Sequence, residues 1–358
     1  MNITADLLGR QAAEILKSWQ MPGKYIGTVV EVMIDTDLRG IDSHGVGMLS
    51  GYQMMRGLGR IKMDGDISVV RNLPSMALVD GGHGLGHPVG VFATDLVIEK
   101  CAETGISAVA VRNSNHYGAA GFYARRIVEQ GFIGISMTGT PGAGIVPTFG
   151  KQAMLGTNPI AFAAPAKRNP PFVLDMATST VAIGKISIAK RLGMPIPEGW
   201  ALDENGNPVT DSVAARETRL LTPLGGSREQ GSHKGYGLAA MIDILCSTLS
   251  GAIIPGVENH QRRELAEGNV GHFFLAIDPE ALRDNGEFED DLDELIDALH
   301  ETPAVDLDQP VLVAGDPELA VYKDRIANGI PVPDGLFDEI RKVALDSNAP
   351  FILDQDDT

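Results

Sequence analysis

The sequence predicts an α/β protein, on three observations. The first 58 residues repeat their apolar positions every three to four residues, the spacing of helices. From about residue 67 to 165, short strand-like runs alternate with helical patterns. The chain holds 42 glycines and 21 prolines among 358 residues, which supplies the tight turns that many short elements need.

The elements follow in order. Thr4 is a candidate N-cap for a helix over residues 4–20, where Leu7, Leu8, Ala12, Ile15, Leu16 and Trp19 recur at helical spacing. Ile26, Val29, Val30, Met33 and Ile34 define a second amphipathic helix over 22–38, which Gly40 ends. A turn of small polar residues follows, Asp42-Ser43-His44-Gly45, and then a helical pattern over 48–58. Residues 67–70 and 76–79 read as strands around a turn at 72–75. The glycine-rich stretch 81–90 leads into a helix over about 91–104. Residues 108–111 are an apolar, strand-like run that breaks into the polar cluster Arg112-Asn113-Ser114-Asn115. His116 comes next. Phe122, Tyr123, Ile127 and Val128 then mark a helix that stops near Gly131. Further strands are expected at 133–137, 160–164 and 172–174. Residues 193–212 are rich in turns, Asn205-Gly206 giving the strongest signal. An apolar helix over 234–249 precedes a strand at 273–277. Residues 288–299 form a surface helix with one apolar and one acidic face. A last strand is expected over 310–315, and a C-terminal helix over 316–328.

Hydrophobic content of 44% and charged content of 21% are ordinary for a soluble protein of two or three domains. The net charge of −18 repels phosphate backbones and anionic lipid, so nucleic-acid and membrane partners are not expected. An anionic small substrate then needs a local basic or dipolar pocket. The two cysteines, Cys101 and Cys246, lie in apolar helical patterns and are too few for a disulfide framework. They read as core thiols in a reducing compartment. No run approaches the ~18 apolar residues of a membrane span. The N-terminus is polar rather than signal-like, and a cytoplasmic enzyme or binding protein is the expectation.

Histidines carry the chemistry that can be read from residue types. A histidine titrates at about 6.5 and passes a proton in either direction near neutrality. His116 sits where a strand hands over to a helix, a favoured place for catalytic groups in α/β proteins. His44 lies at a turn. His83 and His87 are four apart, a metal-pair spacing if they were on a helix. Glycine at four of residues 81–86 argues against a helix there, no third ligand is evident, and no metal is expected. Ser43-His44 invites a nucleophile reading, but neighbouring side chains diverge and no GxSxG elbow exists. Gly235-Tyr236-Gly237-Leu238-Ala239-Ala240 fits GxGxxA, yet the polar stretch 228–234 stands where a Rossmann strand would be required. Its glycines suit close helix packing, and Lys234 at the helix start could face a phosphate. No Walker A motif occurs. The residues alone leave an α/β protein with acid–base histidines and no standard nucleotide motif.

Five segments occur together. They are Asp37-Leu38-Arg39-Gly40-Ile41-Asp42-Ser43-His44-Gly45, Asn113-Ser114-Asn115-His116-Tyr117-Gly118 and Leu155-Gly156-Thr157-Asn158-Pro159. Leu174-Asp175-Met176-Ala177-Thr178-Ser179 and Gly199-Trp200-Ala201-Leu202-Asp203 complete the set. From about residue 5 to 330 the chain resembles the malate/L-lactate/L-sulfolactate dehydrogenase family of NAD(P)-dependent oxidoreductases. That family also holds ureidoglycolate dehydrogenase, diketogulonate reductase and a cyclic imino-acid reductase. The resemblance implies a non-Rossmann fold, with a cofactor domain on a mixed or largely antiparallel sheet inserted in a discontinuous helical domain. The expected division is 1–58 plus 312–358 as helical domain, 59–120 plus 272–311 as substrate and dimerisation domain, and 121–271 as NAD(P)-binding domain. A homodimer is implied, with the active site between domains and near the dimer interface.

The same resemblance implies roles. His116 matches the family's proton-transferring histidine, and His44 matches a histidine given the acid role in some members. Ser43 and Thr157 are implied substrate or nicotinamide contacts. Thr140, Leu174, Asp175, Met176, Lys234, Gly315 and Asp316 are implied around NAD or NADP. The implied reaction is hydride transfer between that cofactor and a small 2-hydroxy or 2-oxo acid. Two departures stand out. Met48 occupies a position where the family usually has arginine, a carboxylate partner that methionine cannot replace. Arg112 and Arg56 are candidate substitutes. Ala314-Gly315-Asp316 stands where Pro-Gly-Glu is common. Reduction of a cyclic imine is an alternative reading. So is a non-catalytic NAD(P)- or metabolite-binding relative, given Met48.

Overall fold

Both ends of the chain meet in one helical layer. A computed structural model describes residues 1–257, 268–306 and 308–354. Strand β1 (Asn2–Ile3) leads into α1 (Ala5–Ser18), whose first turn is capped by the Thr4 hydroxyl accepting the Leu7 N–H. Next comes α2 (Gly23–Leu38), packed on α1. A 3-10 turn, Val46–Met48, feeds α3 (Leu49–Gly57). The central part opens with β2 (Ser68–Asn72), β3 (Met76–Asp80), α4 (Gly86–Thr104), β4 (Ile106–Ser114) and α5 (Ala120–Val128). It continues with β5 (Ile133–Thr138), β6 (Ile160–Ala164) and β7 (Phe172–Met176). A small lobe holds α6 (Ile183–Leu192), β8 (Ala201–Leu202), β9 (Pro208–Val209), α7 (Ser212–Thr218) and β10 (Leu220–Leu221). Helix α8 (Ser232–Asp243) runs into a π-helical segment, Ile244–Thr248, ahead of β11 (Val270–Ile277). The chain closes with α9 (Glu287–His300), α10 (Asp316–Asn328), β12 (Ile330–Pro331) and α11 (Asp334–Asp346).

One sheet of seven strands, in the order β2-β3-β4-β11-β5-β6-β7, forms the centre. Only β3 and β4 run parallel; the other neighbours are antiparallel. The fold is thus mixed α/β with a largely antiparallel sheet. The single parallel pair needs a crossover, which α4 supplies. Helices α4 and α5 cover one face through Val97, Tyr123 and Ile127, packed on Val109, Ala161 and Phe274. On the other face Ile242 and Leu238 of α8 meet Ala110, Met137 and Phe273. Leu8, Leu16, Trp19, Met33 and Tyr52 share the helical-layer core with Ile330, Phe337 and Ile340 from the chain's end.

Three elements differ from expectation. Helix α4 starts at Gly86, five residues before the predicted start. Gly86 serves there as a contact point rather than a turn, because a Cβ on it would lie 2.2 Å from the Asn115 carbonyl oxygen. Residues 310–315 form no strand, and the Ala314 carbonyl accepts a single link, from the Val173 N–H. The helix over 316–328 is not the last. Helix α11 follows, and Phe337, Ile340, Val343 and Ala344 on it are core residues.

Candidate active site

One edge of the central sheet collects the predicted groups. There β4, β5 and β7 end while β6 and β11 begin. His116 follows β4, Thr140 follows β5, Thr157 precedes β6, and Met176 ends β7. The pleat of β7 divides its own three candidates. Asp175 pairs with Ala161 and faces the α5 side, whereas Leu174 and Met176 pair with Phe162 and Ile160 and face the α8 side. The Asp175 carboxylate accepts the Gly121 N–H at 2.7 Å, at the start of α5. Burial among neighbouring groups raises its pKa, partly offset by that hydrogen bond and by Arg125. Gly315 reaches the same side, and the two line a cleft of about 320 Å³ with Arg39, Arg125 and Glu318. Lys234 is exposed in the first turn of α8. The structure therefore places the seven cofactor candidates in two groups, on either side of the edge strand β7. Asp316 is engaged locally, its Oδ2 lying 2.7 Å from both the Val313 N–H and His300 Nε2. The Thr140 hydroxyl donates to Gly142 O at 3.0 Å, and Thr157 O accepts the Thr178 N–H at 2.9 Å.

The turn that carries His44 is built from below. Asp37, in the last turn of α2, accepts the Val46 N–H at 2.9 Å. Gly45 lies so close that a Cβ on it would sit 1.8 Å from the Asp37 carboxylate. Ser43 Oγ meets His44 Nδ1 at 2.7 Å, contrary to the expected divergence of neighbouring side chains. The bend at 42–45, closed by the His44 N–H on Ile41 O, brings the two to one side.

Burial pushes Asp37 up to about 7, with the Val46 N–H opposing and Asp42 adding to it. A carboxyl whose folded pKa is raised holds its proton more tightly in the native state. Stability from this residue is therefore lost as the pH rises from about 4 to 7. Asp37→Asn keeps an acceptor for Val46 and removes the buried charge. It is expected to stabilise the protein at pH 8 by on the order of 2 kcal/mol, with the gain vanishing near pH 4. Thermal melts of both proteins across that range check this; a gain independent of pH would exclude Asp37 ionisation as the cause.

His116 is half-buried and anchored. Its Nδ1 lies 2.6 Å from the hydroxyl of Tyr52, which is only 2% exposed, and 3.4 Å from the Gly118 N–H. Its ring stacks on His44 with centroids 5.2 Å apart. Burial drives the His116 pKa well below 6.5, and the charges of His44, His87 and His272 oppose protonation further. Burial lowers His44 as well. Both imidazoles are therefore neutral at pH 7. The loop is tied to the start of α4: Gly86 N–H donates to His116 O at 3.1 Å, and Asn115 Nδ2 donates to His83 O and Gly84 O at 3.0 Å each.

His83 and His87 do not converge. His83 Nδ1 lies 2.7 Å from Gly268 O, whereas His87 is fully buried within α4. Among the described residues no three His, Cys, Asp or Glu side chains are grouped to hold a metal. Met48 packs half-buried against the helical core. Of the candidate substitute cations, Arg112 pairs with Asp80 at 3.0 Å, and Arg56 is exposed at the end of α3. Sequence reasoning passed over Tyr52, which reads as one more core position of an amphipathic helix. Its phenol is the group that orients His116.

Paired neutral imidazoles at the end of a hydroxyl-lined sheet edge suit proton exchange with an alcohol or carbonyl oxygen. Fold and site together define a dehydrogenase of CH–OH groups built without a Rossmann sheet. The family described as malate/L-lactate dehydrogenase matches residues 3–341. The malate dehydrogenase of Pyrococcus abyssi is 40% identical over 346 residues, 96% of this chain and 94% of its own. The L-sulfolactate dehydrogenase of Methanothermobacter thermautotrophicus is 38% identical over 331 residues, 92% of this chain and 93% of its own. The crystal structure of malate dehydrogenase from Entamoeba histolytica superposes with a TM-score of 0.92 at 30% identity, covering 98% of this chain and 99% of that one. The chain belongs to the malate/L-lactate dehydrogenase family.

Proposed function

We propose that the protein moves a hydride between NAD or NADP and a small 2-hydroxy or 2-oxo acid of the malate or lactate type, with His116 carrying the proton. The observation that carries this reading is the 2.6 Å contact between Tyr52 Oη and His116 Nδ1. It fixes one ring nitrogen on a buried phenol and leaves Nε2 to face a substrate. His44 is held only by the exposed Ser43 and is the second choice.

The residues fit a dinucleotide. Lys234 offers a cation at a helix start, and Asp175 and Gly315 share a cleft on the other side of β7. In this reading Thr140, Leu174, Asp175, Met176, Lys234, Gly315 and Asp316 hold the cofactor, and Ser43 and Thr157 contact the substrate. When bound, the nicotinamide supplies or takes up the hydride. In oxidation His116 Nε2 takes the hydroxyl proton as the alcohol becomes a carbonyl; in reduction the imidazolium returns it. The functional division follows the expected one, 1–58 with 312–358, 59–120 with 272–311, and 121–271; the last two parts contribute strands to one sheet. A cytoplasmic homodimer belongs to the same proposal. The apolar cleft of about 740 Å³ beside Val70, Leu73, Met76 and Leu249 supports a second copy. Among the described residues no helix is long and apolar enough to cross a membrane.

The test is direct. The protein is mixed with NADH or NADPH and a panel of 2-oxo acids and one cyclic imine, and the nicotinamide absorbance is followed. Turnover of at least one 2-oxo acid is expected. Turnover of the imine alone moves the assignment to a C=N reductase, and cofactor binding without turnover leaves a binding protein. If a carboxylate is held despite Met48, Arg56 is the cation to remove, since Arg112 is committed to Asp80. Arg56→Ala should raise KM for the acid about 10-fold, as expected for a lost charged hydrogen bond, and leave cofactor affinity unchanged. An unchanged KM would take Arg56 out of the site.

A further inference from the structure

His87 is a buried polar side chain that the proposed reaction does not use. It is fully buried in the first turn of α4, and neither ring nitrogen has a hydrogen-bond partner. Buried imidazoles are normally satisfied, so an orphaned one calls for a reason. Its neighbour is the phenol that holds His116: the rings of Tyr52 and His87 meet edge to face with centroids 5.6 Å apart.

The tautomer of His116 supplies the reason, given the proton-carrying role proposed above. To take a proton on Nε2, neutral His116 must keep its own proton on Nδ1. That Nδ1–H then donates to Tyr52 Oη, 2.6 Å away. Tyr52 is buried, and its hydroxyl proton must in turn find another acceptor. If Tyr52 instead donates to His116, the ring proton sits on Nε2 and the base is blocked. We infer that His87 is a positioning residue that accepts the Tyr52 hydroxyl proton across one bound water, and so holds His116 in the tautomer with Nε2 free. A water suits the site, because no hydrogen bond reaches His87 directly and a water needs polar partners on both sides.

The surroundings favour a neutral acceptor. The titratable groups around His87 and His116 are Tyr52 on α3, His44 on the turn after α2, Tyr117 beside His116, Tyr123 on α5 and His272 on β11. Burial takes His87 down to about 3, with His44 opposing its protonation as well. His272 is already satisfied by Thr138 at 2.7 Å and Ser114 at 2.8 Å, so it does not compete for the Tyr52 proton.

The experiment reads the tautomer without turnover. Long-range proton–nitrogen correlation spectra of the full-length, nitrogen-15-labelled protein at pH 7.5 should show His116 protonated on Nδ1. In His87→Leu the proton should move to Nε2, and kcat for alcohol oxidation should fall ~10–100-fold with cofactor Kd unchanged, a part of what general-base catalysis contributes. His87→Gln returns a carbonyl acceptor and should restore both. An Nε2-protonated wild type overturns the inference. So does a His87→Leu protein with wild-type tautomer and rate, or a His87→Gln protein no better than His87→Leu. If His87→Leu does not fold, the wild-type and His87→Gln spectra still decide. Failure of the dehydrogenase reading is told apart by His116→Ala: unchanged turnover there removes His116 from the chemistry, whatever its tautomer.

Discussion

His116→Ala is expected to lower kcat by ~10²–10⁴-fold while the Kd of the nicotinamide cofactor changes by less than about 2-fold. The split arises from position. His116 lies at the end of β4 beside His44, whereas the proposed cofactor residues lie on β7, α8 and the start of α10. The variant also leaves the buried Tyr52 hydroxyl without its partner, at a cost of about 1–3 kcal/mol. A melt must therefore accompany the kinetics. The pH dependence follows from the lowered pKa of His116. Neutral imidazole is the form that accepts a proton, so kcat/KM for alcohol oxidation should be flat across neutral pH and fall only in acid. Reduction needs the imidazolium, so its kcat/KM should rise as the pH drops, ~10-fold per unit above the pKa. Loss of activity in His44→Ala alone, with His116→Ala as active as wild type, would reverse the two assignments.

Much of this site was legible because it lies where periodicities change. The strand of period two ending at Asn113-Ser114-Asn115 and the helix of period 3.6 after Ala119 bracket His116, and both elements formed as read. The two amphipathic helices at the start were legible for the same reason. What escaped was set by contacts distant in sequence. Gly86 reads as flexible loop, yet it is the first residue of α4 because the Asn115 and His116 carbonyls allow no side chain there. The Ser43–His44 contact depends on a bend that Asp37 holds from the preceding helix. The pleat of β7 could have been applied to Leu174, Asp175 and Met176 at once: alternation alone says that consecutive residues cannot face one ligand from one side. Tyr52 and His87 carried no such signal. A phenol and an imidazole in apolar helical patterns look like filler until the fold puts them next to His116.

Gly86→Ala should damage the protein most among single-atom additions. The new Cβ would lie 2.2 Å from Asn115 O, 2.6 Å from His116 O and 2.7 Å from His116 C. All three are backbone atoms, so no side-chain rotation relieves the clash. Either α4 or the His116 loop must move, and they are tied together by Gly86 N–H on His116 O at 3.1 Å and by the two Asn115 amide bonds. A loss of about 3 kcal/mol is expected, the upper end of ordinary overpacking, and a lowered melting temperature reads it. Activity should fall further than stability requires. Moving His116 by about 1 Å takes it out of line with Tyr52 and with the substrate, which costs on the order of 10²-fold in kcat. Gly27→Ala is the control. It lies inside α2 with nothing within 4 Å of the added Cβ, so it should gain up to about 1 kcal/mol from helix propensity. Opposite signs for one methyl group at two helical glycines would separate contact from propensity. Equal, small effects at both would show that the His116 loop yields freely, and would weaken the case that α4 holds it in place.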